Sequence, residues 1–303
     1  MTTDRKQRSF IDPSVLSQLS ALPLLARKPM LGNLSGRHAS PHRGSSVEFA
    51  EYRKYVPGDD LRRLDWRAYG RSDRFYIKEF EADTNLRMIL VIDTSGSMGV
   101  DCPGGTKLDY ARRLAAALGY LAIMQGDAVG LACVSGGIIQ QLPPRRSPGH
   151  LSTLFDQLED ARPDGVTGLP SVLHELAETV RQRALVVVLS DLFFEPSALR
   201  DGLEHLRFRK HDVSLFHLLS PEELLFDFTR PTRFLDTEGA GSIFADPVEI
   251  AQQYRQAFTD YLDHLRRICL ETAVDYRRIL LDRSYDLTLR DYLMDRLQRG
   301  RTR

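Results

Sequence analysis

The chain has 303 residues, with 41 basic and 41 acidic side chains, 42% hydrophobic and 27% charged residues. Such a composition suits a globular protein with a sizeable core, arranged as one large domain or two small ones. A formal charge of zero excludes a global field drawing the chain to nucleic acid or anionic lipid.

The start, MTTDRKQRSFIDP, leads into no signal-peptide stretch, and no run approaches the ~18 apolar residues of a membrane span. Cys102, Cys133 and Cys269 are odd in number, far apart and without CxxC spacing. That argues against a disulfide framework and a thiolate zinc site. The expectation is a soluble cytoplasmic protein with no nucleic-acid partner.

Along the chain, Val15, Leu16, Leu19 and Leu22 recur at helical spacing behind Asp12-Pro13, an N-cap followed by proline. Residues 32–46 are rich in Gly, Ser and Pro and read as loop, in which His38 and His42 lack a third ligand. Next comes EFAEYRKYVPGDDLRRLDWRAYGR, with a turn at Pro57-Gly58, a short helix capped by Asp59 or Asp60, and dense Arg and Asp around Trp66. An ion-pair network about Trp66 is the structural reading of this segment. The alternative is a docking surface of Arg53, Asp59, Asp60, Arg62, Asp65 and Trp66, because Trp, Tyr and Arg dominate binding hot spots.

From residue 86 the rhythm changes. A strand at 87–92 precedes a helix striped by Leu108, Ala111, Leu114, Ala115, Leu118 and Leu121. Strands follow at AVGLACVS, 138–142, ALVVVLSD and DVSLFHLL, interleaved with helices near 149–160, 168–182 and 196–209. Apolar strands alternating with amphipathic helices predict a mostly parallel sheet covered on both faces, an α/β domain over 86–220. Residues 1–85 then form an N-terminal helix, loop and signature segment. Residues 221–303 supply a hairpin at TRFLDTEGAGSIFAD, a long helix at 247–272, a possible returning strand at DYRRILLD, and a final helix, packing on the domain.

In doubly wound sheets, ligands bind at the carboxyl ends of the strands. Here the strand MILVI ends in Asp93, Ser95 and Ser97, three oxygen-bearing side chains at alternate positions, and LVVVLS ends in Asp191. Hard oxygens of this kind suit Mg²⁺, Mn²⁺ or Ca²⁺. Competing motifs fail on spacing. An aspartic protease needs Gly two residues after Asp93, where Ser95 stands; a haloacid-dehalogenase phosphatase needs a second acid there; PGGTKLD inverts the Lys-Thr order of a Walker loop; HELAE lacks the second zinc-binding histidine. The plain alternative is that Asp93 and the serines only cap a helix.

Taken together, DTSGS, the threonine in DGVTGLPSVLHEL and the aspartate of VVVLSD resemble a von Willebrand factor A domain, a Rossmann-like fold, over about residues 86–220. The resemblance implies a metal-ion-dependent adhesion site. In it Ser95, Ser97 and Thr167 give hydroxyl oxygens to the ion, while Asp93 and Asp191 hold it through waters. A cation served mainly by neutral hydroxyls keeps a position open to a partner's carboxylate. No general base stands beside the set, so a binding module rather than an enzyme is expected, with no catalytic residues assigned.

The stretch EFAEYRKYVPGDDLRRLDWRAYGRSDRFYIKEFE, with RFLDTEG and DYLMDR further on, resembles the bacterial family called domain of unknown function 58 over nearly the whole chain after residue 32. That resemblance implies an adaptor working with a MoxR-type AAA+ ATPase to remodel, mature or insert metal into client proteins. Many members carry two N-terminal membrane helices, which this sequence lacks, and no nucleotide-binding loop is evident. Two rivals remain: a Mg²⁺-dependent phosphoesterase using Asp93, and a structural module with an idle metal site. Asp93→Ala is expected to remove partner binding while leaving the fold intact.

Overall fold

The N-terminal part contributes helix α1 (Pro13–Leu19), whose N-cap Asp12 accepts a hydrogen bond from the Ser14 amide at 2.9 Å with proline in the first turn. It also contributes an antiparallel pair, β1 (Glu48–Lys54) and β2 (Tyr76–Glu81), which sequence reading did not assign; the turn at Pro57-Gly58 and the short helix expected after it lie outside the described residues. This computed structural model describes residues 10, 12–20, 22–24, 48–54, 69–70, 75–81, 86–239 and 241–301. Asp59, Asp60, Arg62, Asp65 and Trp66 lie outside the described residues, as do His38 and His42; Arg53 is placed only as a backbone position on β1.

β3 (Arg87–Asp93) is the central strand. A short helical turn at Gly96–Gly99 and a two-residue ladder, β4 (Asp101–Cys102) with β5 (Gly105–Thr106), lead into α2 (Lys107–Met124). Then come β6 (Ala128–Val134), β7 (Ile138–Arg145), α3 (Pro148–Asp160), α4 (Leu169–Thr179), β8 (Leu185–Ser190), α5 (Pro196–Phe208) and β9 (Asp212–Leu219). The chain finishes with α6 (Pro221–Leu225), the hairpin β10 (Thr232–Leu235) and β11 (Ser242–Ala245), α7 (Pro247–Glu271), β12 (Asp275–Leu280) and α8 (Tyr285–Arg301).

Six strands form one sheet in the order β12-β9-β8-β3-β6-β7, parallel except for the edge strand β7. The expected α/β architecture is thus present. β12 returns to the edge beside β9, so the segment beyond residue 220 shares this sheet. β7 carries Pro143 and Pro144 and alternates in exposure, properties that keep an edge from pairing with other chains.

Alternation along β3 divides the core in two. Met88, Leu90 and Ile92 pack under α2, α3 and α8, while Ile89 and Val91 pack under α4, α5 and α7. All six residues of the α2 stripe are buried. From β3 the chain moves outward to β6 and β7, then crosses back to β8 on the other side of β3. The order therefore reverses between β3 and β8, and the crevice at their carboxyl ends is where such sheets hold ligands.

The C-terminal helix is fastened to the sheet by charge. Arg296, 3% exposed, donates to Asp212 Oδ2 at 2.8 Å and to Ser214 Oγ at 3.2 Å, and its guanidinium lies 5.4 Å from the Tyr292 ring centre.

His217 in β9 is fully buried and shares a 2.8 Å hydrogen bond with the Tyr276 hydroxyl. Burial pushes its imidazole down from 6.5 to about 4. The unfolded chain therefore takes up the proton first, so stability is complete above the ordinary histidine range and is lost as pH falls toward the folded value. The expected loss is about 3 kcal/mol. Denaturation midpoints across this window should fall more steeply for the wild type than for His217→Gln; parallel curves would show that His217 is not held neutral.

Candidate functional site

The turn after β3 is fixed by its own backbone. Thr94 donates from its amide and hydroxyl to Val134 O at 2.6 and 2.9 Å, locking the strand end to β6. Asp93 Oδ1 accepts the Ser95 amide at 2.9 Å. Ser95 occupies the N-cap position of the helical turn, but its hydroxyl makes no capping bond. It lies 3.1 Å from the Ser97 hydroxyl instead. Simple helix capping thus does not account for the serines.

A second loop brings Thr167 to the same place. The Asp164 amide donates to Thr94 O at 2.8 Å, the Gly96 amide to Gly165 O at 2.8 Å, and the Ser135 hydroxyl to Asp164 O at 2.6 Å. Gly165 adopts φ of +72°, a left-handed conformation that glycine takes without a Cβ penalty. So stitched, the loop sets the Thr167 hydroxyl 3.0 Å from Asp93 Oδ2, to which it donates. Ser190, the last residue of β8, donates to the same oxygen at 2.6 Å. Asp93 is fully buried, and burial first, then the Asp191 charge, push its carboxyl above the ordinary range despite these hydrogen bonds.

Asp191 follows β8 and is 1% exposed. Its Oδ2 accepts from Lys107 Nζ at 2.8 Å, and its Oδ1 has no hydrogen-bond partner. Lys107 opens α2 behind a capping box in which Thr106 and Asp109 bond reciprocally. Its side chain is fully buried and also contacts Glu223 Oε1, while Glu223 Oε2 accepts the Ser220 amide at 2.8 Å. Burial alone would lower the Lys107 ammonium, but the charges of Asp191 and then Glu223 outweigh it and hold it above its ordinary value.

The tip of the β10–β11 hairpin covers the turn. A Cβ on Gly96 would meet Thr237 O at 2.2 Å, so only glycine permits this approach. Beside it, Glu238 lies close to the Thr167 backbone. Burial and the charges of Asp191 and Asp93 raise the Glu238 carboxyl above its usual range.

The family model described as "Protein of unknown function DUF58" matches residues 51–266. The chain belongs to the DUF58 family. An uncharacterized protein of Mycobacterium tuberculosis is 30% identical over 216 residues, spanning 70% of this chain and 68% of the relative; one from Mycobacterium bovis matches equally. Among solved structures, the conserved hypothetical protein BatB from Bacteroides thetaiotaomicron aligns at TM-score 0.50 with 17% identity, covering 72% of this chain and 100% of that one. The SpRpn10 VWA domain aligns at TM-score 0.39 and 12% identity, covering 68% and 93%. The fold of this DUF58 protein is α/β, a mostly parallel, Rossmann-like sheet with helices on both faces.

For this DUF58 protein, the sequence-predicted residues Asp93, Ser95, Ser97, Thr167 and Asp191 stand together at the carboxyl ends of β3 and β8, the point where strand order reverses. Among the described residues no group of three His, Cys, Asp or Glu forms a metal cage. Hydroxyls would have to supply much of the shell, which Ser95, Ser97 and Thr167 can do. The unpartnered Asp191 oxygen and, among the described residues, the excess of carboxylates over the Lys107 ammonium fit a hard divalent cation. Sequence reading missed Ser190, Lys107, Glu223 and Glu238. Glu238 and Ser190 lay inside the quoted stretches RFLDTEG and VVVLSD, and Lys107 carried a signal of its own: a cation in the first turn of a helix opposes the helix dipole and needs another reason to be there. HELAE, set aside as a zinc motif, lies on α4, where His174 meets His205 Nδ1 at 3.2 Å.

Proposed function

We propose that this protein is a divalent-cation-dependent protein-binding adaptor of the cytoplasm, with Mg²⁺ the foremost ion and Mn²⁺ or Ca²⁺ as alternatives. It works with a MoxR-type AAA+ ATPase in remodelling, maturation or metal insertion of client proteins. Asp93, Ser95, Ser97, Thr167 and Asp191 hold the ion, which when bound offers a Lewis-acidic position to a partner's carboxylate. The observation that carries this reading is the gathering of three hydroxyls about a buried Asp93, with Asp191 Oδ1 left without a partner. Exposed Val166, next to Thr167, and Phe193, two residues after Asp191, give the site the apolar surface of a protein contact. Both oxygens of Asp93 accept hydrogen bonds, from the Ser95 amide and from the Thr167 and Ser190 hydroxyls, which favours holding an ion over nucleophilic attack.

The test is binding of the host's purified MoxR-type ATPase to immobilised protein in Mg²⁺, in chelator, and with Asp93→Asn. Affinity should fall by roughly tenfold or more in the latter two, as for loss of a central charged contact. Equal affinity in all three overturns the reading. Among the described residues no helix is long and apolar enough to cross a membrane.

A further inference from the structure

We propose that Glu238 is an intrinsic ligand of this site: the β10–β11 hairpin presents its carboxylate to the cation held by the crevice, and an acidic partner gains the ion by displacing the hairpin tip. The inference rests on the cation reading above and adds the regulation of that site.

Three observations carry it. The first is contact: Thr237 O sits where a Cβ on Gly96 would be, between the two serines, so the tip is fitted onto the turn that carries them. The second is an unmet pair of oxygens. Glu238 Oε1 is shielded from solvent without a hydrogen-bond partner, and so is Oδ1 of Asp191, whose side chain is 1% exposed. Placing the Glu238 carboxylate where the charges of Asp191 and Asp93 act on it is unfavourable unless a cation offsets them. The third is the design of the tip. Asp236 Oδ1 accepts the Glu238 amide at 2.8 Å, the Asp236 amide donates to Gly241 O at 2.9 Å, and Gly239 takes φ of +98°, so the turn aims Glu238 before any ion arrives.

The same hairpin is built to leave. Its strands have four residues each and form a separate two-stranded sheet, and such hairpins are marginal by themselves. Leu235, Ile243 and Phe244 are 69%, 71% and 73% exposed. A partner that covers them while offering its own acidic side chain replaces the internal carboxylate with an external one.

The experiment titrates Mn²⁺ into the purified wild type, Glu238→Gln and Asp93→Asn, following free Mn²⁺ by electron paramagnetic resonance and bound Mn²⁺ by water-proton relaxation. Glu238→Gln preserves the shape of the tip and removes only the charge. It should weaken Mn²⁺ roughly tenfold, in keeping with affinity set by ligand charge. It should also raise the water relaxation per bound ion, because water replaces the carboxylate, and acetate should suppress that gain in the variant but not in the wild type. Equal affinity and relaxation in wild type and Glu238→Gln overturn the intrinsic ligand alone, since the ion still binds. No Mn²⁺ binding to the wild type overturns the cation reading and the intrinsic ligand with it.

Discussion

Replacing Lys107 with methionine is expected to lower the free energy of unfolding by about 3–5 kcal/mol, measured by urea denaturation in chelator, because it strands a buried negative charge. Asp191 is 1% exposed and Lys107 is its ammonium partner at 2.8 Å; Glu223, 17% exposed, loses the same partner. Methionine fills a similar volume, so the loss reads charge rather than packing. Adding Asp191→Asn to Lys107→Met should restore most of the stability, since removing both charges costs far less than removing one. The same Lys107→Met change should tighten Mn²⁺ binding by about tenfold or more, because one unit of positive charge leaves the edge of the site. An unchanged unfolding midpoint in the single variant would show that the ammonium does not neutralise Asp191.

Asp93→Asn is expected to weaken Mn²⁺ on the order of a hundredfold, as loss of a carboxylate that orients metal ligands does, with little change in the melting temperature without metal. Asparagine turned so that its carbonyl accepts the Ser95 amide points its NH2 at the Ser190 and Thr167 hydroxyls, which can rotate to accept from it, and removes a charge whose burial beside Asp191 is unfavourable. Asp93→Ala is a poorer probe than its sequence suggests. It leaves the Ser95 amide and the Thr167 and Ser190 hydroxyls without their acceptor, at a cost of about 1–3 kcal/mol for each group that stays buried and unmet. The expectation of an intact fold therefore belongs to asparagine. Calorimetric titration beside thermal melts separates the two variants, and full Mn²⁺ affinity in Asp93→Asn would remove Asp93 from the site.

The strands and helices of the sheet were legible because each is a burial pattern. Six buried residues in LVVVLS and the leucine and alanine stripe of α2 follow from local sequence alone. So were Asp93 and Asp191, since the end of a buried strand is a defined place in a doubly wound sheet. What escaped were contacts between distant segments. Lys107 and Glu223 stand 116 positions apart, and Glu238 reaches the crevice only because the hairpin folds back over Gly96. Short ladders such as β4–β5 escaped too, because two residues carry no periodicity.

The clasp of Arg296 on Asp212 has a consequence for the nascent chain. Asp212 and Ser214 leave the ribosome in a strand that is to be wholly buried, while their guanidinium partner and the neighbouring strand β12 are still to be synthesised. At ordinary elongation rates the gap lasts on the order of ten seconds. For that interval the open edge of β9 is an acceptor for any passing strand, so safe production of this protein depends on translation speed and on chaperones occupying that edge as much as on its final stability.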